Sequence, residues 1–151
     1  MGGLFSCMNI SASGMTAQSM RMDTIAENIA NAQTTRDENG KVYRRKTVVF
    51  AEKTENAFQY ALDQSRSNHA VSTTGNGVKV TAIVEDHVAS LVKVYDPAHP
   101  DADDDGYVTY PNVNTVTEMT NLIDATRSYE ANVTAFNATK NMLLKGLELG
   151  K

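Results

Sequence analysis

LFSCMNISASGMTAQSMRMDTIAENIANA, residues 4 to 32, is the stretch whose reading decides the fold. Along it Leu4, Met8, Ser11, Met15, Gln18, Met22, Ile25, Ile29 and Ala32 recur at alternating steps of four and three, the period of a coiled-coil helix. One repeating position is uniformly large and apolar (Met8, Met15, Met22, Ile29), while the other mixes Leu4 and Ile25 with Ser11, Gln18 and Ala32. Methionine is flexible and unbranched, so this seam suits several unlike surfaces better than one fixed mate. Gly14 within it costs about 1 kcal/mol relative to Ala, and the helix is expected to need a partner for order.

The same period returns near the other end. Met119, Leu122, Thr126, Tyr129, Val133, Phe136, Lys140, Leu143 and Leu147 follow steps of three and four. Pro111 and Asn112 precede this helix, Asn114 or Thr115 can cap it with Glu118 near its first turn, and Lys140, Lys145 and Gly146 lie towards its end. At 1.5 Å per residue the two segments would be roughly 44 and 51 Å long, more than a helix inside a small domain normally needs.

Between the helices the texture changes. Val42 to Phe50, Val78 to Val84, Val88 to Tyr95 and Tyr107 to Tyr110 are rich in β-branched and aromatic residues and predict short strands. Gly40, Gly75-Asn76-Gly77, Asp96-Pro97, His99-Pro100 and Asp105-Gly106 mark turns between them. Residues 53–76 are polar, with Ala57 to Leu62 the one helix-like fragment, and read as a loop. The expected class is α+β: two long terminal helices paired as a coiled-coil-like unit (residues 1–35 and 111–151), with a small β-rich domain inserted between them (36–110).

Composition narrows the function. Apolar residues make up 41% of the 151, with no Trp and four Phe, so one deep core is undersupplied and part of the apolar surface is expected to need partners. The net charge of -4 and the lack of a basic stripe interleaved with aromatics argue against nucleic-acid binding. Cys7 alone excludes an internal disulfide framework and reads as a small apolar helix residue. Residues 1–10 have neither the basic region nor the apolar run of a cleaved secretory signal, and no run of about 18 apolar residues predicts a membrane span.

No chemical motif is complete. Asp101-Ala102-Asp103-Asp104-Asp105-Gly106 begins like a calcium loop, but Pro111 and Asn112 stand where the loop should close on a bidentate Glu, so it reads as an acidic, solvated turn. His69, His87 and His99 have no partner at zinc-ligand spacing. Gly75-Asn76-Gly77 is too short for a phosphate cradle, and no Gly-x-Ser-x-Gly elbow occurs. The Asn-x-Ser/Thr triplets at Asn9, Asn132 and Asn137 fall on helices and read as incidental. Arg44-Arg45-Lys46 is the one basic cluster, read as a solvated strand face or as a patch for an acidic partner. No catalytic, cofactor-binding or metal-ligating residue is predicted.

Several motifs nonetheless carry a resemblance. Ile25-Ala26-Glu27-Asn28-Ile29-Ala30-Asn31-Ala32-Gln33-Thr34-Thr35 resembles the terminal-helix signature of bacterial flagellar rod, hook and filament-type axial proteins. Tyr110-Pro111-Asn112-Val113-Asn114, the run Ser128 to Asn137 and the ending Lys145 to Lys151 are similar to the proximal rod proteins in particular, as are Tyr43-Arg44-Arg45, Gly77-Val78-Lys79-Val80 and Tyr95 to Asp103. Asp86 to Ser90 lacks a proline-containing turn expected there, and residues 53–76 show little family character.

The resemblance implies a non-enzymatic structural subunit of the basal-body proximal rod, a drive shaft that transmits torque and surrounds the export channel. It implies a place in the periplasm, reached through the flagellar type III export apparatus without a cleaved signal peptide, with other rod proteins and copies of the same chain as partners. Nucleic acid, a membrane span, a small-molecule substrate and a cofactor are not expected. The assembly interface predicted from the stripes comprises Leu4, Met8, Met15, Met22, Ile25 and Ile29 at one end and Met119, Leu122, Tyr129, Val133, Phe136, Leu143 and Leu147 at the other. A second reading, a regulatory or chaperone-like module built on an intramolecular helical hairpin, accounts for the stripes alone.

Overall fold

The computed structural model describes residues 2–36, 40–53 and 75–149. Helix α1 runs Gly2–Ala30, strands follow at β1 (Lys46–Glu52), β2 (Val78–Glu85), β3 (Val92–Tyr95) and β4 (Tyr107–Tyr110), and helix α2 runs Thr115–Leu149. The α+β class and the order helix, strands, helix are as expected. The fragment at Ala57 to Leu62 and nearly all of the expected 53–76 loop lie outside the described residues.

Local chemistry explains the element ends. Asn114 caps α2, its Oδ1 accepting from the N–H groups of Val116 and Thr117 at 3.0 and 3.2 Å, so two donors that no helical carbonyl can reach are satisfied. Gly146 does not stop the helix, which continues to Leu149.

Two strands are shorter than their composition suggests. Of the expected Val42 to Phe50, only the part from Lys46 onward is strand, because Arg45 N–H goes to the Asn112 side chain at 2.9 Å. Of the expected Val88 to Tyr95, only Val92 onward is strand: the Asp86 carboxylate takes the N–H groups of Val88 and Ala89, closing a turn. Those two backbone bonds, to Ala89 and then Val88, hold the Asp86 carboxyl below its ordinary range.

β1 pairs with β2, and β3 pairs antiparallel with β4 in the register Val92 to Tyr110, Lys93 to Thr109, Val94 to Val108 and Tyr95 to Tyr107. Tyr95 and Tyr107 meet edge to face at 5.3 Å. Gly106, at φ +77°, makes the turn into β4, where a Cβ would come within 3.0 Å of the Tyr95 ring.

By packing, the chain divides into two compact units, each drawing on both helices and on the middle of the chain. The first comprises Met1–Gln18, Phe50–Thr81 and Ser128–Lys151, and the second Ser19–Val49 and Ala82–Arg127. Within the first, a Cβ on Gly14 of α1 would meet Asn132 Oδ1 of α2 at 2.7 Å, so this glycine marks a close helix approach. In the same unit Ser13 Oγ accepts from Val78 N–H at 3.1 Å and donates to the Ile10 carbonyl at 2.7 Å. In the second unit α1 and α2 run antiparallel, with Met22 beside Thr126 and Asn28 beside Glu118.

Candidate functional site

On α2 one of the two repeating stripe positions lies where expected and the other is displaced by one residue. On α2 the inward positions are Glu118, Leu122, Ala125, Tyr129, Asn132, Phe136, Thr139 and Leu143, all buried or half-buried at steps of four and three. Leu122, Tyr129, Phe136 and Leu143 were expected there. Their alternates were not: Glu118, Ala125, Asn132 and Thr139 point inward, while Met119 (55% exposed), Thr126, Lys140 and Leu147 (66%) face outward and Val133 is half-buried.

On α1 the stripe members Ser11 and Ile25 are buried as expected, while Ala17 and Asn28 take the places of Gln18 and Ile29. Ser11, Ala17, Thr24, Ile25 and Asn28 are buried, whereas Met8, Met15, Met22 and Ile29 stand half-buried at the margin. The side chain of Leu4 lies outside the described residues. Small and polar residues occupy the helix contact because it is close, as Gly14 against Asn132 shows, and large side chains are displaced to its edges.

The consequence is a large unpartnered apolar surface. Among the described residues only Ala17, Ile25, Val108 and Ala125 are buried apolar side chains. Phe5 and Met20 on α1, and Val116, Ile123, Met142 and Leu144 on α2, are exposed in addition to Met119 and Leu147. Single exposed apolar residues are ordinary, but Val116, Met119 and Ile123 share one helix face and form a continuous exposed apolar strip.

A polar lock fixes the second unit beneath this surface. Glu118, 1% exposed, accepts from Arg45 Nε at 2.8 Å and from Asn28 Nδ2 at 3.1 Å, with Arg45 Nη2 also 2.8 Å away. Asn28, 0% exposed, pairs with the backbone of Lys46 as a strand would: Lys46 N–H donates to Oδ1 and Nδ2 donates to the Lys46 carbonyl, both at 2.8 Å. Tyr43 Oη donates to the same Oδ1 at 2.9 Å. Burial, followed by the nearby carboxylates of Glu27, Glu85 and Glu118, raises the Tyr43 phenol to about 12.

Asn112 completes the arrangement. Its Oδ1 receives Arg45 N–H and its Nδ2 donates to the carbonyls of Asp86 and Ala89. These residues tie α1, the approach to β1, the β2–β3 turn and the start of α2 to one another by groups that would be costly to leave unpaired. The basic cluster thus divides: Arg45 belongs to the lock, Lys46 pairs with Glu27 and lies 5.4 Å from the Tyr43 ring, and the Arg44 guanidinium donates to the Asp86 carbonyl.

The lock has no nucleophile and base in sequence with an orienting group, and no group of metal-binding side chains occurs among the described residues. Asp101 to Gly106 form a turn in which Gly106 N–H bonds the Asp103 carbonyl at 2.8 Å. Among the described residues no helix is long and apolar enough to cross a membrane.

Residues 8–36 match the family described as flagella basal body rod protein, and residues 104–149 match flagellar basal body rod FlgEFG protein C-terminal. Over 151 residues the chain is 50% identical to the flagellar basal-body rod protein FlgC of Bacillus subtilis strain 168, covering 97% of this chain and 98% of the relative. The chain belongs to the FlgC family of flagellar basal-body rod proteins. Identity is 42% to FlgC of Borreliella burgdorferi, over 97% of both chains, and 39% to FlgC of Escherichia coli O6:H1, over 98% of both.

As a FlgC-type protein it is a structural subunit of the flagellar basal-body rod and not an enzyme. The two matched segments contain most of both helices and each holds a member of the polar lock, Asn28 in one and Glu118 in the other. Asn28, Tyr43, Arg45 and Asn112 lie within the family-like motifs, and of these Arg45 alone was expected in a charged role, on a solvated strand face or a patch for an acidic partner. The usable signal was Glu118 at four and seven residues before Leu122 and Ala125: an acid on a buried helix phase needs a cation.

Proposed function

We propose that this subunit joins the rod through the apolar margins of α1 and α2, which neighbouring rod subunits cover. The observation that carries this reading is the outward placement of Met119, Ile123, Met142, Leu144 and Leu147 along one helix whose alternate inward positions, Glu118, Ala125, Asn132 and Thr139, are small or polar. Covering a Met or Leu contributes about 1.5–3 kcal/mol, so a few such contacts per interface, repeated around the rod, offset the cost of association. Methionine at the margins suits neighbours of differing shape, including other rod proteins and further copies of this chain.

On this reading residues 1–35 and 111–151 build the tubular core around an export channel, and residues 36–110 lie outside it. The rod stands in the periplasm and transmits torque, and the subunit arrives through the flagellar type III export apparatus. The family resemblance of both helices supports these assignments.

The test is incorporation. An epitope-tagged full-length chain should be recovered in purified basal bodies, and chains lacking residues 1–32 or 114–151 should be absent from them. Recovery of either truncated chain at the full-length level would overturn assembly through the helices. Hydrogen exchange should show the helix margins gaining protection on passing from dilute chain to rod.

A further inference from the structure

Within the second unit, the segment Lys41–Lys46 and the loop Glu85–Leu91 enclose a cleft of about 500 Å³. Its charges are unevenly satisfied. Lys46 is paired with Glu27, and Glu85 lies 3.7 Å from His87. Lys41 is exposed and has no ion-pair partner among the described residues, and Arg44 donates to the Asp86 backbone carbonyl while its charge also acts on the Asp86 carboxylate. Three cations, Lys41, Arg44 and Lys46, therefore line a concave polar surface against the one carboxylate of Glu85, an excess of positive charge that suits an acidic segment.

The same unit carries the complementary charge. Asp103, Asp104 and Asp105 are exposed on the turn between β3 and β4, and none of them has a cation partner among the described residues. Asp101 beside them is already held by Arg36 at 3.6 Å and by Thr35 at 2.7 Å. The turn is shaped by Asp103 N–H on the Tyr107 carbonyl at 2.9 Å and Asp96 N–H on the Gly106 carbonyl at 3.0 Å. Three adjacent carboxylates are thus presented on a bonded frame, in a chain whose cleft is lined by more cations than carboxylates.

We infer that the cleft at Lys41 and Arg44 receives the Asp103-Asp104-Asp105 turn of a second copy of this chain. Turn and cleft are different residues, so the contact is heterologous and can repeat from copy to copy, as an open-ended or ring-like assembly requires. This rests on the rod reading: the helix margins supply apolar burial, and the charged contact fixes which neighbour sits beside which and in what orientation.

The test uses full-length chains in flagellated cells. Two differently tagged chains, both Cys7→Ser, carry Lys41→Cys and Asp104→Cys respectively and are produced together; basal bodies are then isolated and oxidised. A disulfide-linked dimer bearing both tags is expected, together with ladders when one chain carries both cysteines. Separately, Lys41→Asp with Arg44→Asp should lose incorporation, and adding Asp103→Lys with Asp104→Lys to the same chain should restore it.

Thermal melts equal to the starting chain separate lost docking from lost folding, since these side chains hold no ion pair among the described residues and the Arg44 bond to the Asp86 carbonyl is the one internal side-chain contact at stake. Chains present in basal bodies but never cross-linked, or charge-reversed chains incorporated normally, would overturn the inference and leave the rod reading standing. An unaltered chain missing from basal bodies would overturn both.

Discussion

Arg45 and Glu118 form a salt bridge at 2.8 Å in which the carboxylate is 1% exposed and the guanidinium only partly so. Taking both charges out of water is costly, so the pair is weak grounds for net stability, but loss of one member is severe. Arg45→Met strands the Glu118 charge and is expected to cost about 3–5 kcal/mol in urea unfolding. Adding Glu118→Gln removes that charge while keeping an acceptor for Asn28, and should recover more than half of the loss. Additive losses in the double variant would show that the two residues act independently.

Tyr43 gives the lock an alkaline limit. Its phenol is raised from 10.0 to about 12 by burial and then by Glu27, Glu85 and Glu118. The folded chain therefore keeps a proton that the unfolded chain releases between these values. This contribution is intact below pH 10 and is lost as pH rises from 10 to 12. Unfolding free energy should fall across that window more steeply for the starting chain than for Tyr43→Phe, which cancels the background from lysines. Absorbance at 295 nm should show the most alkaline tyrosine transition missing from the variant.

Gly14 and Asn132 are a coupled pair. Alanine at position 14 gains about 1 kcal/mol of helix propensity, but its Cβ would sit 2.7 Å from Asn132 Oδ1. Asn132 could turn away only by giving up its 2.8 Å bond to the Ser128 carbonyl, worth about 1 kcal/mol. Gly14→Ala alone should therefore be near neutral, while in an Asn132→Ala background it should stabilise by about 1 kcal/mol. Thermal melts followed by circular dichroism measure both, and equal effects in the two backgrounds would refute the coupling.

A different glycine is fixed twice. Gly77 has φ +98°, and a Cβ there would stand 2.2 Å from Ser13 Oγ. Gly77→Ala should destabilise by about 2 kcal/mol or more, combining left-handed strain with loss of the Ser13 bond to Val78 N–H. Ser13→Ala should relieve only the clash, so the double variant remains less stable than the starting chain. Full recovery in the double variant would show that backbone strain contributes nothing.

What the sequence revealed and what it concealed have separate physical causes. The helices and the Asn114 cap were legible because their signals are local: a period of side chains and one oxygen near two orphan donors. One stripe position was off by one because periodicity follows large apolar residues, whereas the close contact selects Gly14, Ala17, Ala125 and Thr139. The start of β1 was concealed by side chains that capture backbone groups from far along the chain, Asn112 on Arg45 and Asn28 on Lys46, whereas that of β3 was set by the local Asp86 turn. No local pattern reports a bond across 67 residues. The polar lock was concealed for the same reason, although its members lay inside motifs already quoted.

That one-residue phase shift separates folding from assembly on α2. Leu122 faces inward and Met119 outward, although both belong to the same apolar stripe of the sequence. Leu122→Ala should lower the stability of the isolated chain by about 1–2 kcal/mol, the discount from a full core loss reflecting its half-burial. Met119→Asp with Leu147→Asp should leave it within about 0.5 kcal/mol, because more than half of each residue already faces water. Incorporation into basal bodies should follow the reverse order, with the outward double variant failing to enter rods although it folds normally and the inward variant entering at reduced level. Normal incorporation of Met119→Asp with Leu147→Asp would show that the α2 margin is not covered by a neighbour. Failure of the same variant to fold would show that Met119 and Leu147 are held within the chain.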